Sequence, residues 1–206
     1  MSVPPSGRRA AAGGRIGLEG DCYLRGATGG QMANFGSIVQ VGYLTADIEA
    51  AMATWVERSG VGPFTWYQHV RLDAVHLGEP TSIEMEVAIA YRGDVQIELI
   101  QQTNDAASPY RAFFDRGQMG MHHLAFGTRD MTASLAAARA DGHEVVCTID
   151  SAMGRYAYFR DPAVPEVLFE LLGADDGIEG MWAAARDEAR TWDGSNPVRP
   201  IDLAGL

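Results

Sequence analysis

The chain repeats itself. Gln40-Val41-Gly42-Tyr43-Leu44-Thr45-Ala46-Asp47 returns in outline as His123-Leu124-Ala125-Phe126-Gly127-Thr128-Arg129-Asp130. Each copy has a polar residue, an apolar and small alternation, a threonine, and an aspartate seven places after the polar residue. The alternation predicts a short strand and the aspartate predicts the N-cap of a following helix. A repeat of this kind dictates how many units are stacked, so it precedes any other reading of the fold. It also makes Gln40 and His123 equivalent. Because side chains alternate along a strand, His122 and His123 are expected to face opposite ways, with only one entering a given pocket. His123 then shares its face with Ala125 and Gly127, which leave room for a ligand. Leu124 and Phe126 point under the helix.

Extending each copy gives the same order twice. After the first strand, Ile48, Met52, Trp55 and Val56 mark one face of a helix ended by Gly60. Strands are then predicted over 64–70, 83–90 and 95–101, with Arg92-Gly93-Asp94 as a tight hairpin turn. In the second unit a helix over 130–141 is closed by Gly142, and strands follow over 144–149, 155–160 and 167–172. The fold class is therefore α+β, with a first βαβββ module over 33–101, a connector over 102–119 and a second module over 120–175. The remainder, 176–206, reads as a helix carrying Ile178, Met181, Trp182, Ala185 and Ala189 at helical spacing, then a turn-rich tail. Residues 1–32 are rich in Gly, Ala, Ser and Arg without periodicity and are expected to be disordered, with Met32 a candidate start of translation.

A formal net charge of -11 argues against nucleic acid or an anionic membrane as the main partner, and no apolar run is long enough to span a bilayer. Two cysteines, Cys22 and Cys147, make no disulfide framework, so a reducing cytoplasm is the expected setting.

The last strand of each module presents a carboxylate. In 167–172, Leu168, Glu170 and Leu172 share one face and Val167, Phe169 and Leu171 the other, both largely apolar. Glu98 occupies the corresponding place in 95–101. Burying either one unpaired would cost several kcal/mol, so each needs a partner or solvent. The two modules together offer Gln40, Glu98, His123 and Glu170: one imidazole, one amide and two carboxylates, with two negative charges to balance a divalent ion.

Paired βαβββ modules with these strand-to-helix signatures resemble the vicinal oxygen chelate superfamily, the glyoxalase/bleomycin resistance/dioxygenase group, over about 36–173. The resemblance implies an eight-stranded, partly open barrel around a cleft. It also implies one divalent metal (Zn, Ni, Co, Mn or Fe(II)) held by Gln40, Glu98, His123 and Glu170. This ligand set is similar to the glyoxalase I pattern. Extradiol dioxygenases of the group use two histidines and one glutamate, and Gln40 stands where the first histidine would be, so dioxygenase chemistry is disfavoured. Members that only sequester antibiotics generally lack the full set.

The implied function is a metal-dependent lyase or isomerase moving a proton next to a carbonyl or thioester, through a metal-stabilised enediolate or enolate. Glu170 is the first choice of base and Glu98 the second. The alternatives are an acyl-CoA epimerase like methylmalonyl-CoA epimerase, suggested by Asp161-Pro162 followed by Val167-Leu168-Phe169-Glu170, and a small-molecule-binding or resistance protein without turnover. Epimerases usually have His at the place of Gln40 and Gln at the place of Glu98. Arg111, Arg155 and Arg160 are candidates for an anionic tail of the substrate, and Trp66, Tyr67, Tyr156 and Tyr158 for its apolar part. His69 and His76 are placed in or near loops without a role. A homodimer is expected, with Trp182 and Trp192 as aromatic anchors.

Overall fold

The structure, a computed structural model, describes residues 35–151 and 154–205. The expected disorder of 1–32, Cys22 and the candidate start at Met32 lie outside the described residues.

The first module runs β1 (Ile38–Leu44), α1 (Ile48–Ser59), β2 (Phe64–His76), β3 (Glu79–Arg92) and β4 (Val95–Gln102). After a short connector helix α2 (Pro109–Phe114) the order repeats as β5 (Gly120–Thr128), α3 (Met131–Ala140), β6 (Glu144–Ser151), β7 (Gly154–Arg160) and β8 (Leu168–Gly173). A helix α4 (Asp176–Thr191) and a strand β9 (Val198–Asp202) complete the chain. The repeat extends to the caps. Asp47 accepts from the Ala50 amide and Asp130 from the Ala133 amide, while Thr45 and Thr128 each accept from the amide of the capping aspartate. Such caps satisfy donors that the first helical turn leaves unpaired.

The strands hydrogen-bond in the order β3-β4-β1-β5-β8-β7-β6-β2-β9, and β2 also pairs with β3, so eight strands form a ring with β9 on its edge. The β2–β6 seam is short: only Ala74, Val75 and His76 pair across it, with Ile149, Thr148 and Cys147. One end of the barrel is therefore sealed there, while the opposite half of β2 turns to β9. Three apolar clusters follow. One fills the ring interior around Val70, Leu72, Ile83, Met85, Ile100 and Ile149; α1 covers a second outside through Ile48 and Met52; α3 covers the third through Met131 and Ala138.

At the junction of the modules β1 runs antiparallel to β5. Val41 pairs with its own repeat equivalent Leu124, Gly42 with His123, and Gln40 with Ala125. The register therefore has a local two-fold centred on Val41 and Leu124. It shifts on either side, between Ile38 and Gln40 and between Gly42 and Tyr43. Val39 on β1 and His122 on β5 are the extra residues, which again are equivalent positions. A bulge leaves its extra residue out of the ladder and turns it from the alternating pattern. The expected opposition of His122 and His123 fails for this reason, and both imidazoles are buried, at 6% and 1% exposure.

Two further expectations are corrected. His69 lies within β2, and His76 is its last residue, next to the turn that follows. A register shift between Tyr67 and Val70, with His69 at φ 58°, breaks the alternation that would have shown the strand continuing. The turn-rich tail contains β9, parallel to β2. Pro200 within it disguises the strand, yet an edge strand tolerates a residue without an amide proton.

Candidate metal centre

Four polar side chains meet inside the ring where β1, β4, β5 and β8 run side by side. The parallel ladders set Gly42 against Glu98 and Ala125 against Glu170, so the two glutamates are placed alike in the two modules. His123 Nε2 stands 3.1 Å from Gln40 Oε1, 2.9 Å from Glu170 Oε2 and 3.4 Å from Glu98 Oε2. Ligand atoms around an ion with bonds of about 2.1 Å are themselves about 3 Å apart, which is the spacing seen here. The facing oxygens of Glu98 and Glu170 are buried, and among the described residues the only hydrogen-bonding group set against them is the His123 ring nitrogen. Two desolvated carboxylate oxygens left open toward one point are costly unless a cation compensates them. Glu98, His123 and Glu170 each offer one donor atom within 4.8 Å of the others, and the Gln40 oxygen adds a fourth. Nitrogen and oxygen donors without a thiolate suit a divalent ion of the Zn, Ni, Co, Mn or Fe(II) group. The residues thus fit such an ion.

Small residues make the approach possible. A Cβ built on Gly42 would lie 1.9 Å from His123 Cε1, so only glycine lets the imidazole cross β1 here. The Gln40 amide is oriented by Gln96, whose Oε1 accepts from Gln40 Nε2 at 2.6 Å and whose own Nε2 donates to Tyr91 at 2.6 Å. This turns Gln40 Oε1 toward the centre. Tyr158, the ladder partner of Glu170, stands beside its carboxylate and lies 2.8 Å from the Tyr110 hydroxyl. Gln96, Tyr91 and Tyr110 were not singled out from sequence. Gln96 had one available signal, the face it shares with Glu98.

Electrostatics follow from burial. Desolvation works against a charged His123, yet Glu170 and Glu98 beside it carry its pKa up to about 9. Burial raises the Glu170 pKa above the ordinary carboxylate range, with His123 pulling the other way. In both cases a positive charge is drawn to one point.

Glu98, Glu170 and Gln40 line a cavity of about 760 Å³. Its walls include Leu72, Val87, Ile89, Ile149 and Leu172, and α4 reaches it through Ile178, Met181 and Trp182. Tyr67, Tyr156, Tyr158 and Arg155 also line it, as expected, whereas Trp66 packs with the α1 cluster and donates to Glu86. Arg155 is 3.3 Å from Asp150. Arg111 lies on α2, ion-paired with Asp105 and Asp115, and is not brought to the cavity. Arg160 pairs with Glu144 on the outside. Trp192 stacks its ring over Gly62 and donates to Ser195, so both proposed aromatic anchors have contacts within the chain.

Two βαβββ modules joined through their first strands, with four donors from first and last strands converging in the cleft, define the class. The sequence matches the Glyoxalase/Bleomycin resistance protein/Dioxygenase superfamily over residues 39–159, and the chain belongs to that superfamily. No curated relative matches it. Among solved structures it is similar to a hypothetical protein of Bacillus halodurans, 16% identical, covering 68% of this chain and 95% of that one with a TM-score of 0.51. It is also similar to a variant methylmalonyl-CoA epimerase of Streptomyces coelicolor in complex with 2-nitronate-propionyl-CoA, 21% identical, with 68% and 95% coverage and a TM-score of 0.50. At these identities the likeness is one of fold.

Two outcomes are expected. Gly42→Ala should empty the centre as thoroughly as His123→Ala, because His123 has no room to retreat; metal content by elemental analysis, beside an unchanged circular dichroism spectrum, checks this. Metal uptake must also displace the His123 proton. The apparent affinity of the metal-free protein should therefore rise with pH toward about 9 and level beyond it, with proton release measurable in weak buffer.

Proposed function

We propose that this chain is a metal-dependent lyase or isomerase of the glyoxalase I-like type, moving a proton on a carbon next to a carbonyl or thioester. The observation that carries the reading is the pair of carboxylates, buried Glu170 and partly buried Glu98, whose buried oxygens face a mainly apolar cavity beside Gln40 and lie against His123. A divalent ion held by Gln40, Glu98, His123 and Glu170 would supply Lewis-acid stabilisation of negative charge growing on the substrate oxygen.

The chain's own groups do the rest. Glu170, with its basicity raised by burial, takes the proton from the neighbouring carbon, with Tyr158 beside it on the next strand. Glu98 is the second candidate for the same role. The apolar walls exclude water and suit a substrate with a hydrocarbon or aromatic body, steadied by Tyr156 and, if it carries a single negative charge, by Arg155.

The epimerase named among the structural neighbours supports a second reading, proton transfer on an acyl-CoA. Against it stand the cavity arginines, since Arg129 is ion-paired with Asp176 and Glu179 and Arg155 faces Asp150. A cytoplasmic setting and a homodimer go with the proposal; exposed Met119 and Met181 are available for a contact, and sedimentation as a strict monomer would remove the dimer.

Exchange of the substrate α-proton with solvent deuterium, followed by NMR, tests the function. The panel is the methylglyoxal–glutathione adduct, methylmalonyl-CoA and neutral cyclic ketones, each with metal-loaded protein. Glu170→Gln should keep most of the metal and lower exchange by about 10²–10⁴. Exchange undiminished in that variant would pass the base to Glu98. No exchange by the wild type on any of the panel would favour a binding protein without turnover.

A further inference from the structure

His122 entered the barrel interior through a bulge, and nothing in the proposed chemistry uses it. Its ring is enclosed by Tyr110, Phe113 and Tyr158, and its two nitrogens have two distinct neighbours. Nε2 is 3.3 Å from the Pro109 carbonyl oxygen, and Nδ1 is 3.0 Å from His123 Nδ1. No carboxylate contacts it among the described residues, so a charge on it would be both buried and uncompensated.

These contacts settle the direction of every proton. A carbonyl oxygen only accepts, so His122 carries its proton on Nε2. A neutral imidazole has one N–H, which leaves a lone pair on His122 Nδ1. Across 3.0 Å that lone pair faces His123 Nδ1, which must then be the donor. With its proton fixed on Nδ1, neutral His123 has a bare Nε2, the atom directed at Gln40, Glu98 and Glu170.

We propose that His122 is a positioning residue: anchored by the Pro109 carbonyl, it accepts the His123 Nδ1–H and so commits His123 to presenting Nε2 as a donor to the centre. The metal part of this rests on the reading of the site given above; the tautomer does not. Without His122, neutral His123 could place its proton on Nε2 against Glu170, blocking the position a cation needs. The repeat supports the assignment independently. At the equivalent bulge in the first module stands Val39, and there the donor is Gln40, which has no tautomer to fix and is turned instead by Gln96. The bulge residue is thus a histidine where the donor beside it is a histidine. The anchor comes from the connector helix α2, which occurs once in the chain, so the device belongs to the second module alone.

Side-chain ¹⁵N spectra of the histidine-labelled full chain, metal-free and zinc-loaded, read the tautomer directly. His122 should show a protonated Nε2 and a bare Nδ1 in both states. A proton on His122 Nδ1 would overturn the proposal. Zinc titration of His122→Phe, which keeps an aromatic ring in the same packing, should give affinity weaker by about 10–100-fold. His122→Asn, whose amide oxygen can take the place of Nδ1, should recover most of the loss. Wild-type affinity in a folded His122→Phe would also overturn it. A wild type that takes up no zinc would instead sink the metal-centre reading, leaving the tautomer to be decided by the spectra. Should His122→Phe not fold, the wild-type spectra still decide.

Discussion

Two carboxylates buried face to face around one imidazole are the constraint from which most of this architecture follows. Glu170 is nearly inaccessible, Glu98 keeps 14% of its side chain exposed, and the facing oxygen of each lies against the His123 ring nitrogen. Desolvated like charges at this separation repel strongly and lose hydration together. A fold can hold them if a positive charge sits between them, as a proton on His123 or as a divalent ion, or if Glu170 keeps its own proton. The raised His123 pKa and the donor spacing describe the same electrostatic demand, met by a proton or by a metal. The surrounding hydrogen bonds form the framework that keeps those donors aimed at one point: Gln96 behind Gln40 and His122 behind His123.

Duplication explains how four strands come to share that point. Equivalent residues Val41 and Leu124 pair with each other, so the two modules meet about a local two-fold, and the donor of each first strand lies across from the small residue of the other. Gly42 admits His123, and Ala125 stands opposite Gln40. A larger residue at either small position would push a donor off the centre. The packing of the junction and the geometry of the site are therefore one requirement.

The repeat made much of this legible in the sequence. The aspartate caps, the order of elements, the facing of Glu98 and Glu170 and the equivalence of Gln40 and His123 all follow from local rules of periodicity and capping. The bulges were not legible, because strict alternation has no sign for the position at which it fails, and His122 was assigned to the wrong face for that reason. His69 interrupted β2 in the same way. Gln96, Tyr91 and Tyr110 escaped because their roles depend on cross-strand partners that periodicity does not name. Arg111 was placed near the substrate on residue type alone, whereas Asp105 and Asp115, close by in sequence, hold it outside.

The duplication is also where symmetry must end. A two-fold cleft would be open equally from both modules and would offer two equivalent positions for a base. Elements present once break the equivalence. The connector helix α2 brings the Pro109 carbonyl and the Tyr110 hydroxyl to the His123 and Glu170 side. Helix α4 supplies Ile178, Met181 and Trp182 to the cavity, tied at one end by Arg129 and at the other by Arg190 to Asp94. Glu170 becomes the more buried carboxylate, with Tyr158 beside it on the ladder, while Glu98 stays the more accessible. Environment rather than residue type distinguishes two like carboxylates. The sequence outside the repeat is what gives a symmetric scaffold one working direction.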